Sequence, residues 1–405
     1  MPRRLLRDNA LSRFWTASSN ASPGRSSLWR AIPSFSLILL IWGLGFTAPA
    51  CRWFAPKAFS EAERRQLASR SRQWIENTGG SRVWVKARSQ ASFPPGQADT
   101  PLAVVASAEV YPVILSALEN QSKKEGLEFK ARETRGRGGY RTADIRLARQ
   151  GELVCRWRLR EVRQLLRAAI VIDDLGQDLQ AAEKLLALPY PLTFSVLPKL
   201  RYSIETADEA HRTGHEVMLH LPMEAQPGEH PSAGEGEIRT SMSPEELGRV
   251  LAADLETVPY AAGVNNHMGS RATAQFPLMA AVMDALGERR LYFVDSRTTA
   301  ASVALDAARQ RALPAFYRSV FLDDTETVPY TLGQLRVFRR IVEEQGVALA
   351  IGHPHPTTIT ALSQFLPELE KDDIQLVPPS ELVRLPEVAR LWPPQRVSPA
   401  AQGPR

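Results

Sequence analysis

The sequence predicts an α/β protein: a (β/α) barrel of seven to eight units over about 166–390, preceded by a small α+β domain over 55–165 and an N-terminal membrane segment. Three observations lead there. Short apolar runs alternate with helical stretches from residue 168 onward, the pattern of a parallel sheet with crossovers. Charge divides the chain: residues 1–165 carry 28 Lys+Arg against 13 Asp+Glu, and residues 166–405 carry 22 against 31, which argues for separate modules. All seven histidines lie between His211 and His355, so imidazole chemistry belongs to the acidic module.

Composition sets outer bounds. With 405 residues, 44% hydrophobic and 23% charged, the chain is neither collagen-like, nor a coiled coil, nor wholly disordered, and it is long enough for two or three cores. Its two cysteines, Cys51 and Cys155, exclude a disulfide-dense scaffold and a four-cysteine zinc module. Any metal site must draw on His, Asp and Glu.

Residues 1–30 hold six arginines against Asp8 and read as a basic cytoplasmic leader. Residues 31–50 carry no charge and would span ~30 Å as a helix, enough to cross a bilayer, with the arginines on the cytoplasmic side. The segment is either a retained signal anchor or a signal peptide cleaved after Ala48-Pro49-Ala50. Both readings place the body outside the cytoplasm of a bacterium, tethered to the inner membrane through 31–50 or secreted to the periplasm.

In the 55–165 domain, Ser60 and Glu63 form a capping box at a helix start. Residues 81–88, 142–148 and 153–161 alternate as strands, the last two joined by a turn at Gln150-Gly151. Residues 108–130 read as a helix and 89–101 as a loop. The arginine-rich face is either simply solvated or suited to an anionic envelope surface. Nothing in it resembles a nucleic-acid-binding motif.

Strands are expected at 168–173, 192–197, 216–221, 262–266, 291–295, 316–321, 347–352 and 374–377, with a capped helix entering at Ser243-Pro244-Glu245-Glu246. Residues 391–405 are Pro-rich and read as a disordered tail. Polar residues gather at the strand ends: Asp173 and Asp174; His220 and Glu224; Asn265, Asn266 and His267; Asp295, Ser296 and Arg297; His353 and His355. Singly, each has a plain structural role as a cap, turn or local ion pair. Together on one barrel rim they mark a site. Asp323-Asp324 reads as surface.

These residues resemble the polysaccharide deacetylase superfamily, and more closely its divergent branch. The resemblance rests on Ile172-Asp173-Asp174-Leu175-Gly176, Gly214-His215-Glu216 leading to His220, Asn265-Asn266-His267-Met268-Gly269-Ser270, Phe293-Val294-Asp295-Ser296-Arg297-Thr298 and Gly352-His353-Pro354-His355-Pro356. It covers about 168–385 and implies a distorted barrel that removes acetyl groups from N-acetylated sugars with a divalent metal. Carried over by position, Asp173 is the general base, Asp174 and His220 are metal ligands and His353 is the general acid. Glu224 stands where the superfamily has its second metal histidine, and His267 can supply the missing imidazole. The metal set is then Asp174, His220 and His267, with Glu224 as a fourth ligand or a support. Asn265 and Asn266 occupy the place of the substrate loop. Asp295, Arg297 and His355 remain either as further ligands or as residues that orient one.

Two imidazoles and a carboxylate suit zinc without excluding iron, cobalt or manganese. The expected function is hydrolysis of N-acetyl groups on an envelope glycan such as peptidoglycan. The alternative is a barrel that binds glycan or an envelope partner without turnover. A glycosidase would need two flanking carboxylates and would leave the histidines unexplained.

Overall fold

The computed structural model describes residues 60–86, 101–136, 138–229, 232–385 and 388. The expected leader, membrane segment and proline-rich tail lie outside the described residues. Among the described residues, no helix is long and apolar enough to cross a membrane.

The first layer holds α1 (Glu61–Gly79), β1 (Val83–Val85), β2 (Leu102–Ser107), α2 (Tyr111–Lys124), β3 (Glu128–Arg135), β4 (Arg141–Arg149) and β5 (Glu152–Val162). The Ser60–Glu63 capping box is present at α1. The five strands run in the order β1-β2-β5-β4-β3. Both helices pack on one face, burying Tyr111, Ile114, Leu118 and Trp157. Gln150 and Gly151, both at positive φ, make the β4–β5 hairpin turn. The helix expected over 108–130 is shorter. It stops at Lys124, Gly126 takes a left-handed conformation, and β3 follows. β3 escapes a pattern search because nearly all of its residues are exposed and mostly charged.

The second layer alternates strand and helix: β6 (Leu166–Leu175), α3 (Leu179–Leu186), β7 (Thr193–Val196), α4 (Ser203–Arg212), β8 (Glu216–Met223), α5 (Pro244–Glu256), β9 (Ala261–Met268), α6 (Phe276–Glu288), β10 (Tyr292–Asp295), α7 (Ala304–Gln310), β11 (Ala315–Tyr317), β12 (Val320–Phe321), α8 (Val328–Gln345), β13 (Val347–Gly352), α9 (Pro356–Lys371), β14 (Ile374–Leu376) and α10 (Pro379–Leu382). Ser243 caps α5 with Glu246 completing the box. All of the sheet's ladders are parallel, in the order β11-β10-β9-β8-β7-β6-β13-β12, with β14 added on β6.

The sheet curls strongly. Its two end strands, β11 and β12, are separated in sequence only by Arg318 and Ser319. The Arg318 amide donates to Asp295 O (2.9 Å) and the Ser319 amide to Leu349 O (2.7 Å), so this corner touches both β10 and β13. The single strand expected over 316–321 is therefore split by a bend.

Alternation along the strands sorts two cores. Ala169, Val171, Met218, Tyr292, Val294, Leu349 and Ile351 pack inside the curl, joined by Val377, Leu382 and Val383 from the C-terminal turn. Ile170, Ile172, Phe194, Leu219, Val264, Phe293 and Ala350 face outward against the helices. Burying each large apolar side chain contributes about 1.5–3 kcal/mol. The inward set decides what lies at the mouth of the curl.

Candidate metal and catalytic centre

Each inward row ends in a polar residue at the carboxyl end of its strand. Asp173 continues Ala169 and Val171, His220 continues Met218, Ser296 continues Val294, and His353 continues Ile351. On β9 the inward positions are Gly263, Asn265 and His267, with Asn265 beside His220 in register.

Asp174 breaks the alternation. As the neighbour of Asp173 it should face the helices. The β6–β7 register shifts between Ile172 and Leu175, and Asp174 has φ 57°. A bulge with a left-handed residue re-aims the side chain, so both carboxylates serve one mouth. A second reversal follows His267. Met268 and Gly269 are both left-handed (φ 51° and 84°), and a Cβ on Gly269 would lie 2.9 Å from the Met223 Cβ.

Three ligand atoms converge. Asp174 Oδ1 lies 3.1 Å from His220 Nε2 and 3.0 Å from His267 Nδ1, and the two ring nitrogens are 3.1 Å apart. Asp174 Oδ1 is buried and takes no well-aligned hydrogen bond, although buried carboxylate oxygens ordinarily do. An orphaned carboxylate oxygen facing two imidazole nitrogens is the donor set a divalent ion such as zinc accepts. The residues present fit such an ion.

The tautomer of His220 is set from behind. The Asn265 side chain faces the Asp173 carboxylate with Nδ2, donating to Oδ1 (2.8 Å) and Oδ2 (3.0 Å). That orientation turns Asn265 Oδ1 to accept from Ser195 Oγ (2.6 Å) and from His220 Nδ1–H (2.9 Å). In its neutral form His220 therefore presents an unprotonated Nε2 to the convergence point, the orientation a metal-binding imidazole needs.

His353 stands on the opposite side. Its Nδ1 bonds Asp323 Oδ1 at 3.0 Å, and its Nε2 lies 3.7 Å from Asp174 Oδ2. Asp323 also accepts from the His353 amide (2.6 Å) and Thr358 Oγ1 (2.6 Å). Burial disfavours the His353 cation, yet Asp323 and then the charges of Asp174 and Asp173 raise its pKa to about 9. Burial also opposes charge on His220, but Asp173 and Asp174 outweigh it and raise the pKa. For Asp174 burial is overcome by the two imidazoles, which hold the carboxyl well below its usual range.

The remaining candidates divide. Glu224 does not join the converging atoms. Its carboxylate accepts from the Thr240 amide (2.6 Å), Thr240 Oγ1 (2.7 Å) and Arg271 Nη1 (2.6 Å). Asn265 and Asn266 are buried with their polar atoms turned inward. Asn266 accepts from the Ser296 amide (2.9 Å) and donates to Met268 O (2.8 Å). These bonds brace the site; the substrate contact expected of the pair remains a proposal. Asp295 reaches no histidine. It accepts from the Arg297 amide and Ser302 Oγ, both 2.8 Å, and burial raises its pKa. Arg297 lies over Tyr317. His355 precedes α9, with Nδ1 3.7 Å from Glu326 and its ring 5.8 Å from that of His353.

Asp323 is the residue that sequence reasoning missed. It is buried, not on the surface. The available signal was its position, since it ends the apolar run Val320-Phe321-Leu322 as Asp173 and Asp295 end theirs.

Comparison with known proteins agrees with this architecture. The model of the divergent polysaccharide deacetylase family matches residues 170–383. An uncharacterized protein of Escherichia coli (strain K12), YibQ, is 37% identical over 235 residues, covering 58% of this chain and 73% of that one. An uncharacterized protein of Haemophilus influenzae is 35% identical over 233 residues, covering 58% and 79%. The crystal structure of an uncharacterized protein from Agrobacterium tumefaciens C58 superposes with a TM-score of 0.51 at 26% identity, covering 54% of this chain and 89% of that one. With more than half of its residues matched by the family model, and the curled parallel sheet in place, the chain belongs to the divergent polysaccharide deacetylase family.

Proposed function

We propose that this protein is a metal-dependent amide hydrolase that removes N-acetyl groups from a cell-envelope glycan. One observation carries the reading: Asp174, His220 and His267 converge within about 3 Å of one another, between a tethered carboxylate, Asp173, and a tethered imidazole, His353. A divalent ion held by those three residues supplies polarisation of the acyl carbonyl and a more acidic water. Asp173, aimed by Asn265, is placed to take a proton as water attacks the acetyl carbon. His353 carries its proton on the side of the mouth, with Nδ1 fixed to Asp323, and is placed to give it to the departing amine. The uncharged span 31–50 behind six arginines supports an extracytoplasmic body held at the inner membrane, where such a glycan lies.

The test uses the full chain in detergent. Zinc content is measured by elemental analysis for wild type, His220→Ala and His267→Ala, and acetate release from N-acetylated glycan for wild type and Asp173→Asn. One zinc per chain, lost in both histidine variants, with acetate release lost in Asp173→Asn, supports the reading. Bound zinc without acetate release from any N-acetylated glycan overturns hydrolysis. It would favour a barrel that binds glycan or an envelope partner without turnover.

A further inference from the structure

One wall of the mouth has no place in the hydrolytic scheme. Arg297 is exposed, and its guanidinium lies 4.3 Å from the centre of the Tyr317 ring. The Arg318 guanidinium lies 4.7 Å from the centre of the Phe321 ring, and that ring meets His353 edge-on at 5.1 Å. Arg318 Nε donates to Ser296 O (2.6 Å) and Nη2 to Arg297 O (2.9 Å), so it pins the backbone that carries Arg297. Ser296 Oγ in turn accepts from Asn265 Nδ2 (3.2 Å), which binds Asp173. The wall therefore stands one ring from His353 and, through Ser296 and Asn265, three hydrogen bonds from Asp173.

Three features set Arg297 apart from an ordinary solvated arginine. It has φ 51°, a conformation that costs an L-residue about 1–2 kcal/mol. Its guanidinium makes no salt bridge among the described residues, although its charge is felt by Asp295, in a module where acids outnumber bases 31 to 22. Nearby Asp295 is buried and bonds the Arg297 backbone amide and Ser302, while Asp324 lies exposed beyond Arg318 with one hydroxyl contact, from Tyr330 (3.4 Å). Finally, the guanidinium is already stacked, so it loses little freedom when it takes a bidentate partner.

We propose that Arg297 is a specificity-determining residue that accepts a carboxylate on the glycan, with Arg318 as the positioning residue behind it. The substrate class is then an acidic N-acetylated polymer and not a neutral one. This rests on the hydrolase reading above for the identity of the mouth. It is tested by binding alone, so that the two can fail separately.

The full chain carrying Asp173→Asn is titrated in detergent with a hyaluronan tetrasaccharide, which bears carboxylates, and with chitotetraose, which is neutral. The expected result is about tenfold tighter binding of the acidic probe at low salt, shrinking at high salt. Arg297→Gln brings the ratio towards one, and Arg297→Lys keeps only part of it. The unfolding midpoint of each variant confirms that the exposed site was changed without loss of fold. A ratio near one in the parent, an unchanged ratio in Arg297→Gln, or binding of neither probe at millimolar concentration overturns the inference. Absence of acetate release by wild type, with the ratio intact in Asp173→Asn, would sink the hydrolase reading and leave this one standing.

Discussion

Replacing Asn265 by leucine tests the centre more sharply than replacing a ligand. Leucine nearly matches asparagine in shape but removes the bonds from Ser195 and His220 and those to Asp173 and Ser296. The two serine hydroxyls can rotate. The Asp173 carboxylate and His220 Nδ1–H cannot, and each buried group loses its hydrogen bonds to Asn265, with Asp173 keeping, among the described residues, only His220 Nε2 at 3.6 Å. At about 1–3 kcal/mol for each stranded group, the variant should lose roughly 2–6 kcal/mol of stability. Freed from Asn265, His220 no longer has a reason to keep its proton on Nδ1, and zinc affinity should fall about 10–100-fold. Asn265→Asp is the companion: it keeps an acceptor for His220 but places a second carboxyl against Asp173, so zinc binding should survive. The assay is urea unfolding together with competitive zinc titration. If folded Asn265→Leu binds zinc within twofold of wild type, the argument that Asn265 fixes the imidazole is refuted.

Two further expectations follow from buried charges. Asp323→Asn should drop the pKa of His353 in metal-free protein from about 9 towards its ordinary value, read by NMR of the ring. Because the folded pKa is the raised one, the stabilisation from protonated His353 is complete below about pH 6.5 and vanishes as pH climbs through 9; the variant should lack that slope, and an unchanged titration would contradict the pairing. Asp254 is fully buried against Lys199 Nζ (3.0 Å), and burial raises its pKa to about 6 despite the lysine. Its stabilising contribution is present below about pH 4 and lost as pH rises through 6, so wild type should weaken by roughly 2–3 kcal/mol relative to Asp254→Asn between pH 4 and 7. A pH-independent difference in urea midpoint would show that the carboxyl is not protonated in the fold.

The strands of the curled sheet were legible because buried parallel strands are short apolar runs, and those runs sit where β6 to β10 and β13 lie. The gathering of Asp173, His220, His267 and His353 was legible too, since parallel strands all end on one side. What stayed hidden has physical causes. β3 buries almost nothing, so its pattern carries no period. The corner at Arg318-Ser319 is set by tertiary hydrogen bonds to β10 and β13, not by a turn residue. Asn265 and Asn266 were expected as substrate contacts because they stand where the superfamily has its substrate loop, and their bonds to Asp173, His220 and Ser296 were not foreseen. Whether an amide faces solvent or the neighbouring strand depends on strand register, and a single sequence does not contain it. The pairing of Asp323 with His353, 30 residues away, was hidden for the same reason, although its place at the end of an apolar run was legible.

The two aspartates show how far alternation can be trusted. Strand geometry places Asp173 and Asp174 on opposite faces, and only a bulge with a left-handed residue brings both to one mouth. Non-glycine residues at positive φ recur just beyond neighbouring strands, at Lys199 after β7, Met268 at the end of β9 and Arg297 after β10. Such residues persist where the surrounding contacts overdetermine them. Here those contacts are visible: Asn266 holds Met268 O, Arg318 holds Arg297 O, and Lys199 is tied to Asp254. A scaffold selected for stability alone would place glycine at these turns. Keeping an acid at 174 and a guanidinium at 297 in costly conformations makes sense when the side chains themselves are wanted at the mouth. The backbone strain, the orphaned Asp174 oxygen and an Arg297 guanidinium without a salt bridge among the described residues are the three observations behind the proposal that this end of the sheet meets a ligand.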